Sequence, residues 1–214
     1  MTTKKKVKGM AATMNKPKIL LPVHPEWCEK IFNGSKTIEV RKTAPKIDTP
    51  FEALVYCTKG KPFLYKNPNN GELFLHNNGG YRGGDYEDRY LTGKVIGEFI
   101  CNKVDLIEYK DECYVINDDI AYTNTIAAKS CLDYDDMYKY LGDKNGYGWH
   151  ITEPKLFDYP RELSEYALFG KCAEECDEYD ICARDYVDGR MSCKYFKRKY
   201  LTRAPQSWIY VESV

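Results

Sequence analysis

The chain has no run approaching about 18 apolar residues, so nothing in it reads as a membrane-spanning helix. Lys4, Lys5, Lys6 and Lys8 are followed by no apolar stretch, so the N-terminus does not read as a secretion signal. Net charge is missing too, since 32 basic residues offset 32 acidic ones, and any nucleic-acid surface would have to be a local basic patch. Ser-His-Asp, Cys-His and open-metal signatures are absent, which counts against the common nucleophilic and metal hydrolases. There is no even set of cysteines. Nine cysteines without a secretion signal argue against a disulfide framework and for a reducing, cytoplasmic setting.

The 214 residues are ample for a real core, at 43% apolar and 30% charged. The chain is organised around Gly34-Ser35-Lys36-Thr37-Ile38-Glu39-Val40-Arg41. A helix-like segment from Pro25 to Asn33 stops at Gly34, which tolerates the left-handed backbone of a helix end. Ile38 and Val40 then alternate with Thr37, Glu39 and Arg41, the period-two pattern of a strand. Glu39 and Arg41 should therefore point the same way, with Lys36 at the turn. Such a cluster is either an exposed ion pair of little worth or a site.

The block from Ile19 to Lys42 resembles the opening of ASCH domains, of the PUA-like superfamily, whose pattern is strand, helix, then G-x-K-x-x-E-x-R. Here the pattern stands as Gly34, Lys36, Glu39 and Arg41. The resemblance continues at Val95 to Phe99, at Gly146 to Ile151 and at Pro205 to Val211, covering most of residues 18 to 213 apart from two insertions. It implies an α+β fold, a PUA-like twisted β-pseudo-barrel with flanking short helices. It also implies a nucleobase or RNA ligand. In the small bacterial amidohydrolases that the block resembles, a Thr stands where Glu39 stands here, while Lys36 is kept.

Read in order, residues 1–16 form a basic tail expected to be disordered, and 17–214 the ASCH-like domain, with insertions at 58–93 and 171–203. Strands are expected at Lys18 to Val23, Thr37 to Lys42, Phe51 to Cys57, Gly93 to Ile107, Tyr147 to Tyr159 and Gln206 to Val211, with the first and last as neighbours. Gly97 marks a bulge or the close approach of another backbone. A bulge near Pro154 would put Leu156 on the face of Ile151. Short helices are expected at Asn124 to Leu132 and Tyr134 to Leu141, closed by Gly142. The first insertion carries Asn-Gly and Gly-Gly turns around Gly71 to Leu75, a short strand, and reads as a flap rimming a pocket or as a decorative loop. Residues Asp105 to Tyr122 are acidic and rich in tyrosine, a residue the chain holds 19 times.

The second insertion carries Cys172-x3-Cys176-x5-Cys182-x10-Cys193. Four thiolates at this density would satisfy tetrahedral Zn2+ and leave no open position, making a structural site rather than a catalytic one. An iron–sulfur cluster, disulfides or free thiols are the alternatives. After it come Lys194, Lys197, Arg198 and Lys199 interleaved with aromatics, then Arg203, a pattern suited to a nucleic-acid backbone or to a solvated strand end. Lys36, Glu39 and Arg41 would bind a ligand, or Lys36 and Glu39 would be catalytic in a hydrolase acting on an acylated nucleoside or RNA. Trp149, Gln206, Ser207 and Trp208 join them as candidate ligand contacts, with core tryptophan the alternative for the two rings. His150 is either an acid–base group or a satisfied core histidine. Three functions follow: an RNA or modified-nucleobase binder, a hydrolase, and a coactivator-like protein-interaction module. The first is preferred, because the charged cluster is compatible with binding alone.

Overall fold

The computed structural model describes residues 16–78, 89–116, 120–172 and 198–213. The fold is α+β, and the described residues form one large sheet, a small hairpin and three short α-helices. In chain order the elements are β1 (Lys18–Val23), α1 (Pro25–Phe32), β2 (Ile38–Arg41), β3 (Phe51–Cys57), β4 (Phe63–Lys66), β5 (Leu73–His76), β6 (Val95–Lys110), β7 (Cys113–Val115), α2 (Ile120–Ser130), α3 (Tyr134–Leu141), β8 (Gly146–Arg161), β9 (Tyr166–Cys172), β10 (Arg198–Tyr200) and β11 (Ile209–Ser213). The large sheet runs β10-β9-β11-β1-β3-β6-β8-β2, with β7 on the far end of β6. Among the described residues this path is open: β10 and β2 end it without pairing to each other, so the sheet is not a closed barrel.

First and last strands are neighbours, with Ile19 opposite Tyr210 in an antiparallel pair. On its other side β1 runs parallel to β3, Leu21 opposite Val55. Both strands read as continuous apolar runs because both faces are covered. Ile19, Leu21, Ala53 and Val55 enter one core with α1, while Leu20, Leu54 and Tyr56 enter a second with Val95, Tyr166 and Val211. A third core, built from Ile38, Val40, Ile107, Met137 and Leu141, lies where α2 and α3 meet β2.

The sequence's glycine and bulge signals have structural counterparts. A Cβ on Gly97 would collide with the Lys155 carbonyl and the Phe32 ring, so the helix can seat on β6 only where that side chain is missing. The β6–β8 register shifts between Glu98 and Ile100, and across from it Glu153 takes a positive φ of 51°. That bulge lets two 16-residue strands stay paired while curving.

The described part of the first insertion is neither a flap nor a decoration. β4 and β5 form a hairpin that packs on the main core through fully buried Leu64, with Leu91 alongside. Gly71, at a φ of 76°, makes its turn.

The buried charged cluster and its cleft

Pro25 stands in the first turn of α1, where its missing N–H costs nothing. The helix ends as the Asn33 and Gly34 amides bond back to Glu29 and Ile31, with Gly34 at a φ of 83°. The Lys36 amide then bonds the Lys30 carbonyl at 2.8 Å, which fixes where the chain enters β2. β2 lies at the sheet's end and, among the described residues, pairs only with β8, Glu39 opposite Trp149 and Arg41 opposite Tyr147.

The exposed-ion-pair reading fails on burial. Lys36 is 2% exposed, Glu39 6% and Arg41 7%. Both oxygens of Glu39 are engaged: Oε2 lies 3.3 Å from Lys36 Nζ and Oε1 accepts from Arg41 at 2.8 Å. The two cations are anchored by backbone. Lys36 Nζ donates to the Ser130 carbonyl at 2.6 Å, and Arg41 donates to the Pro22 carbonyl at 2.6 Å. Ser130 is the last residue of α2, where carbonyls lack helical partners and the helix dipole favours a cation. The Pro22 carbonyl is available because β11 pairs with β1 only over Lys18 to Leu20. Arg41 Nε is buried with no partner among the described residues, which is costly unless a ligand or water supplies one.

These groups form the floor of a cleft of about 430 Å3, walled by Pro22, Val23, His24, Trp27, Leu132, Asp136, Lys139 and Tyr140. Trp27 comes from α1, and Lys36 Nζ lies 5.2 Å from its ring centre. Tyr140 comes from α3, with Lys42 Nζ 5.1 Å from its ring. Two cations against one carboxylate leave the floor positive, and the aromatic rings give it flat apolar walls. Such a floor suits a planar ligand bearing an acceptor oxygen, a carbonyl, carboxylate or phosphate.

The structure joins Lys36, Glu39 and Arg41 but does not bring the other candidate ligand contacts to the cleft wall. Trp149 is fully buried, edge-on to Phe51 at 5.4 Å, and belongs to the core. Trp208 is half-buried 6.1 Å from it and donates Nε1–H to Thr43 Oγ1 at 3.0 Å. Gln206 is exposed and Ser207 half-buried in the loop before β11. His150 Nε2 lies 2.6 Å from Asp105 Oδ2, and Lys103 Nζ 2.7 Å from Oδ1, so it sits in an ion cluster of its own. Arg198 and Lys199 are exposed on β10, and Arg198 Nε bonds Glu212 at 3.1 Å. β10 is three strand steps from β1, roughly 14 Å at sheet spacing. Arg203 is exposed just beyond it. Lys194, Lys197, Cys176, Cys182 and Cys193 lie outside the described residues, as does the side chain of Cys172.

Sequence reasoning missed Asp136, Lys139 and Tyr140 as a cleft wall. The signal was the inner side of α3, which Leu132, Met137, Tyr140 and Leu141 mark in the sequence; Met137 and Leu141 are buried, and Tyr140 stands at the edge of that side.

No protein-family model and no curated protein matches the chain. Among solved structures, its structure is similar to that of an ASCH protein from Zymomonas mobilis. The two share 13% identity at a TM-score of 0.44, over 68% of this chain and 73% of that one. A Tyr-to-Phe variant of that protein gives 12% identity and a TM-score of 0.45, over 69% and 77%. Among the described residues, no helix is long and apolar enough to cross a membrane.

Proposed function

We propose that this protein binds RNA or a modified nucleobase in the cleft beside Lys36, Glu39 and Arg41. One observation carries the reading: a buried, net-positive ion cluster, whose Arg41 Nε has no partner among the described residues, opens onto a cleft flanked by Trp27 and Tyr140. Arg41 and Lys36 take an acceptor oxygen of the base, and the rings take its face. Glu39 holds both cations in place. Binding is favoured over hydrolysis because both oxygens of Glu39 are already engaged, one by Lys36 and one by Arg41, so neither is turned to a substrate. Arg198, Lys199 and Arg203, with Lys194 and Lys197, contact the phosphate backbone of a longer RNA.

The test is capture of nucleic acid by the whole protein, digestion to nucleosides and mass spectrometry, with Glu39→Gln alongside. The expected result is an enriched nucleoside whose identity shifts in Glu39→Gln. Absence of any enrichment, or an unchanged profile in the variant, overturns the reading. Acetylated cytidine and single-stranded RNA are tried as substrates in parallel. Robust turnover of either that Glu39→Gln lowers by about a hundredfold would make this protein a hydrolase.

We also propose that Cys172, Cys176, Cys182 and Cys193 hold one structural zinc. Elemental analysis of purified protein should find about one zinc per chain, lost in Cys182→Ser. Fully folded protein without zinc would refute the assignment.

A further inference from the structure

Two tyrosines of the acidic stretch, Tyr109 and Tyr114, have no part in the cleft and meet two tyrosines of α3 at one surface. Tyr109 of β6, Tyr114 of β7, and Tyr134 and Tyr138 of α3 touch in a ring-to-ring chain. Tyr109 and Tyr114 lie 5.2 Å apart, Tyr114 and Tyr134 5.8 Å, Tyr134 and Tyr138 6.1 Å, and Tyr138 and Tyr109 6.2 Å. Tyr114 is buried and forms the base, its hydroxyl donating to the Gly142 carbonyl. Tyr134 and Tyr138 stand above it at an interplanar angle of 13°, each 47% exposed. The Tyr134 hydroxyl is tied to the Glu112 carbonyl at 2.9 Å, which holds the ring in place. Two stacked aromatic rings kept half in water by a fixed scaffold are an unusual use of apolar surface unless something covers them.

The charge around them selects the occupant. Apart from Asp136 and Lys139 of the cleft wall, residues 108–112 and 133–144 carry six carboxylates, Glu108, Asp111, Glu112, Asp133, Asp135 and Asp143, against two lysines. A polyanion would be repelled here, whereas a cation gains from both carboxylates and ring faces. The protein already uses this chemistry one turn away, where Lys42 stands over Tyr140 of the same helix. The Tyr114 and Tyr109 phenols also hold their protons. Burial, together with the neighbouring tyrosines and Asp143, pushes Tyr114 up to about 12, and burial, with Tyr134 next, raises Tyr109.

We infer that the Tyr109–Tyr114–Tyr134–Tyr138 face is a docking surface for a lysine- or arginine-rich segment of a second protein. Cationic heads lie over the exposed rings of Tyr134 and Tyr138 and are held by the surrounding carboxylates. The assignment is independent of what the cleft binds, because the two surfaces use different faces of α3.

The test is fluorescence anisotropy with a labelled peptide of alternating arginine and glycine, titrated with the full chain. Single-stranded RNA of mixed sequence and a peptide of alternating glutamate and glycine are the controls. Tyr134→Ala with Tyr138→Ala should weaken binding of the basic peptide by about tenfold, since exposed cation–π contacts contribute about 0.5–1 kcal/mol each. Both side chains are half in solvent, so the fold survives, which circular dichroism checks. Asp143→Asn with Glu112→Gln should weaken binding a few-fold and flatten its salt dependence. Equal affinity in the tyrosine variant, no preference for the basic over the acidic peptide, or RNA binding that the tyrosine variant abolishes would each overturn the inference. So would a gain of about tenfold in affinity when Lys4, Lys5, Lys6 and Lys8 are changed to glutamine, since the chain's own N-terminus would then be the occupant.

Discussion

Two of the three-membered ion clusters on the large sheet differ both in charge balance, one cation with two carboxylates against two cations with one, and in burial. Lys18 of β1 reaches Glu52 of β3 and Glu98 of β6, with side chains 30%, 47% and 27% exposed. Lys36, Glu39 and Arg41 have side chains only 2%, 8% and 9% exposed. The outer cluster sits on adjacent strands in reach of water, so its attraction is screened and each member could be solvated instead. In the inner cluster water has been replaced by specific oxygens, the carbonyls of Ser130 and Pro22 and the carboxylate of Glu39. Desolvation makes such a cluster a poor source of stability but makes each member indispensable to the others. A charged group kept under those conditions is better explained by what it offers a ligand than by what it gives the fold.

Removing one carboxylate from each cluster tests the difference most directly. Glu39→Ala leaves two buried cations unpaired and should cost about 3–5 kcal/mol of unfolding free energy, read from urea denaturation. Glu52→Ala in the outer cluster should cost less than about 1 kcal/mol. Equal losses would mean that burial does not distinguish the clusters.

Alkaline pH sharpens it further. Cys101 lies opposite Phe51 in the core that α1 covers, on the other side of the sheet from the outer cluster, and burial pushes its thiol up from 9.0 to about 12. The folded state keeps that proton while the unfolded chain loses it. This contribution is thus fully present below about pH 9 and is lost as pH rises toward 12. For Lys18, burial pulls its pKa down, but hydrogen bonds and attraction from Glu52 and Glu98 more than offset it, so the net direction is up. Its contribution is likewise present below the ordinary lysine range and is lost as pH rises through its folded value. Solvent screening makes the Lys18 effect the smaller of the two. Melting temperatures from pH 8 to pH 11 should fall less steeply in Cys101→Ala than in the parent, and Lys18→Met should change the slope far less. A Lys18→Met chain with the flatter profile of the two would reverse the ranking.

Much of the framework is written in short stretches. Strands β1 and β3 and helix α3 have the limits that apolar runs, prolines and Gly142 mark out. Gly34 and Gly97 stand where a positive φ and a missing Cβ are needed. β6 and β8 run three and two residues past the expected ends, to Lys110 and Arg161, because bulges rather than turns absorb their curvature. The hairpin of the first insertion shows a weaker signal, since Leu64 and Leu91 reveal a core only when α1 lies over them.

Alternation along β2 by itself determined that Glu39 and Arg41 share a side, and the Gly34 turn determined that Lys36 enters beside them. It could not determine whether that side faces water or protein. Only the tertiary structure decided this, by closing α2 and α3 over β2 and bringing Ser130, 94 residues beyond Lys36, against its ammonium. The same packing sends Trp149 into the core and supplies Tyr140 to the cleft wall. Periodicity is a local property, set by backbone geometry within a few residues. The desolvation that turns an ion pair into a binding floor depends on which distant segment lies above it, and chain connectivity alone does not specify that.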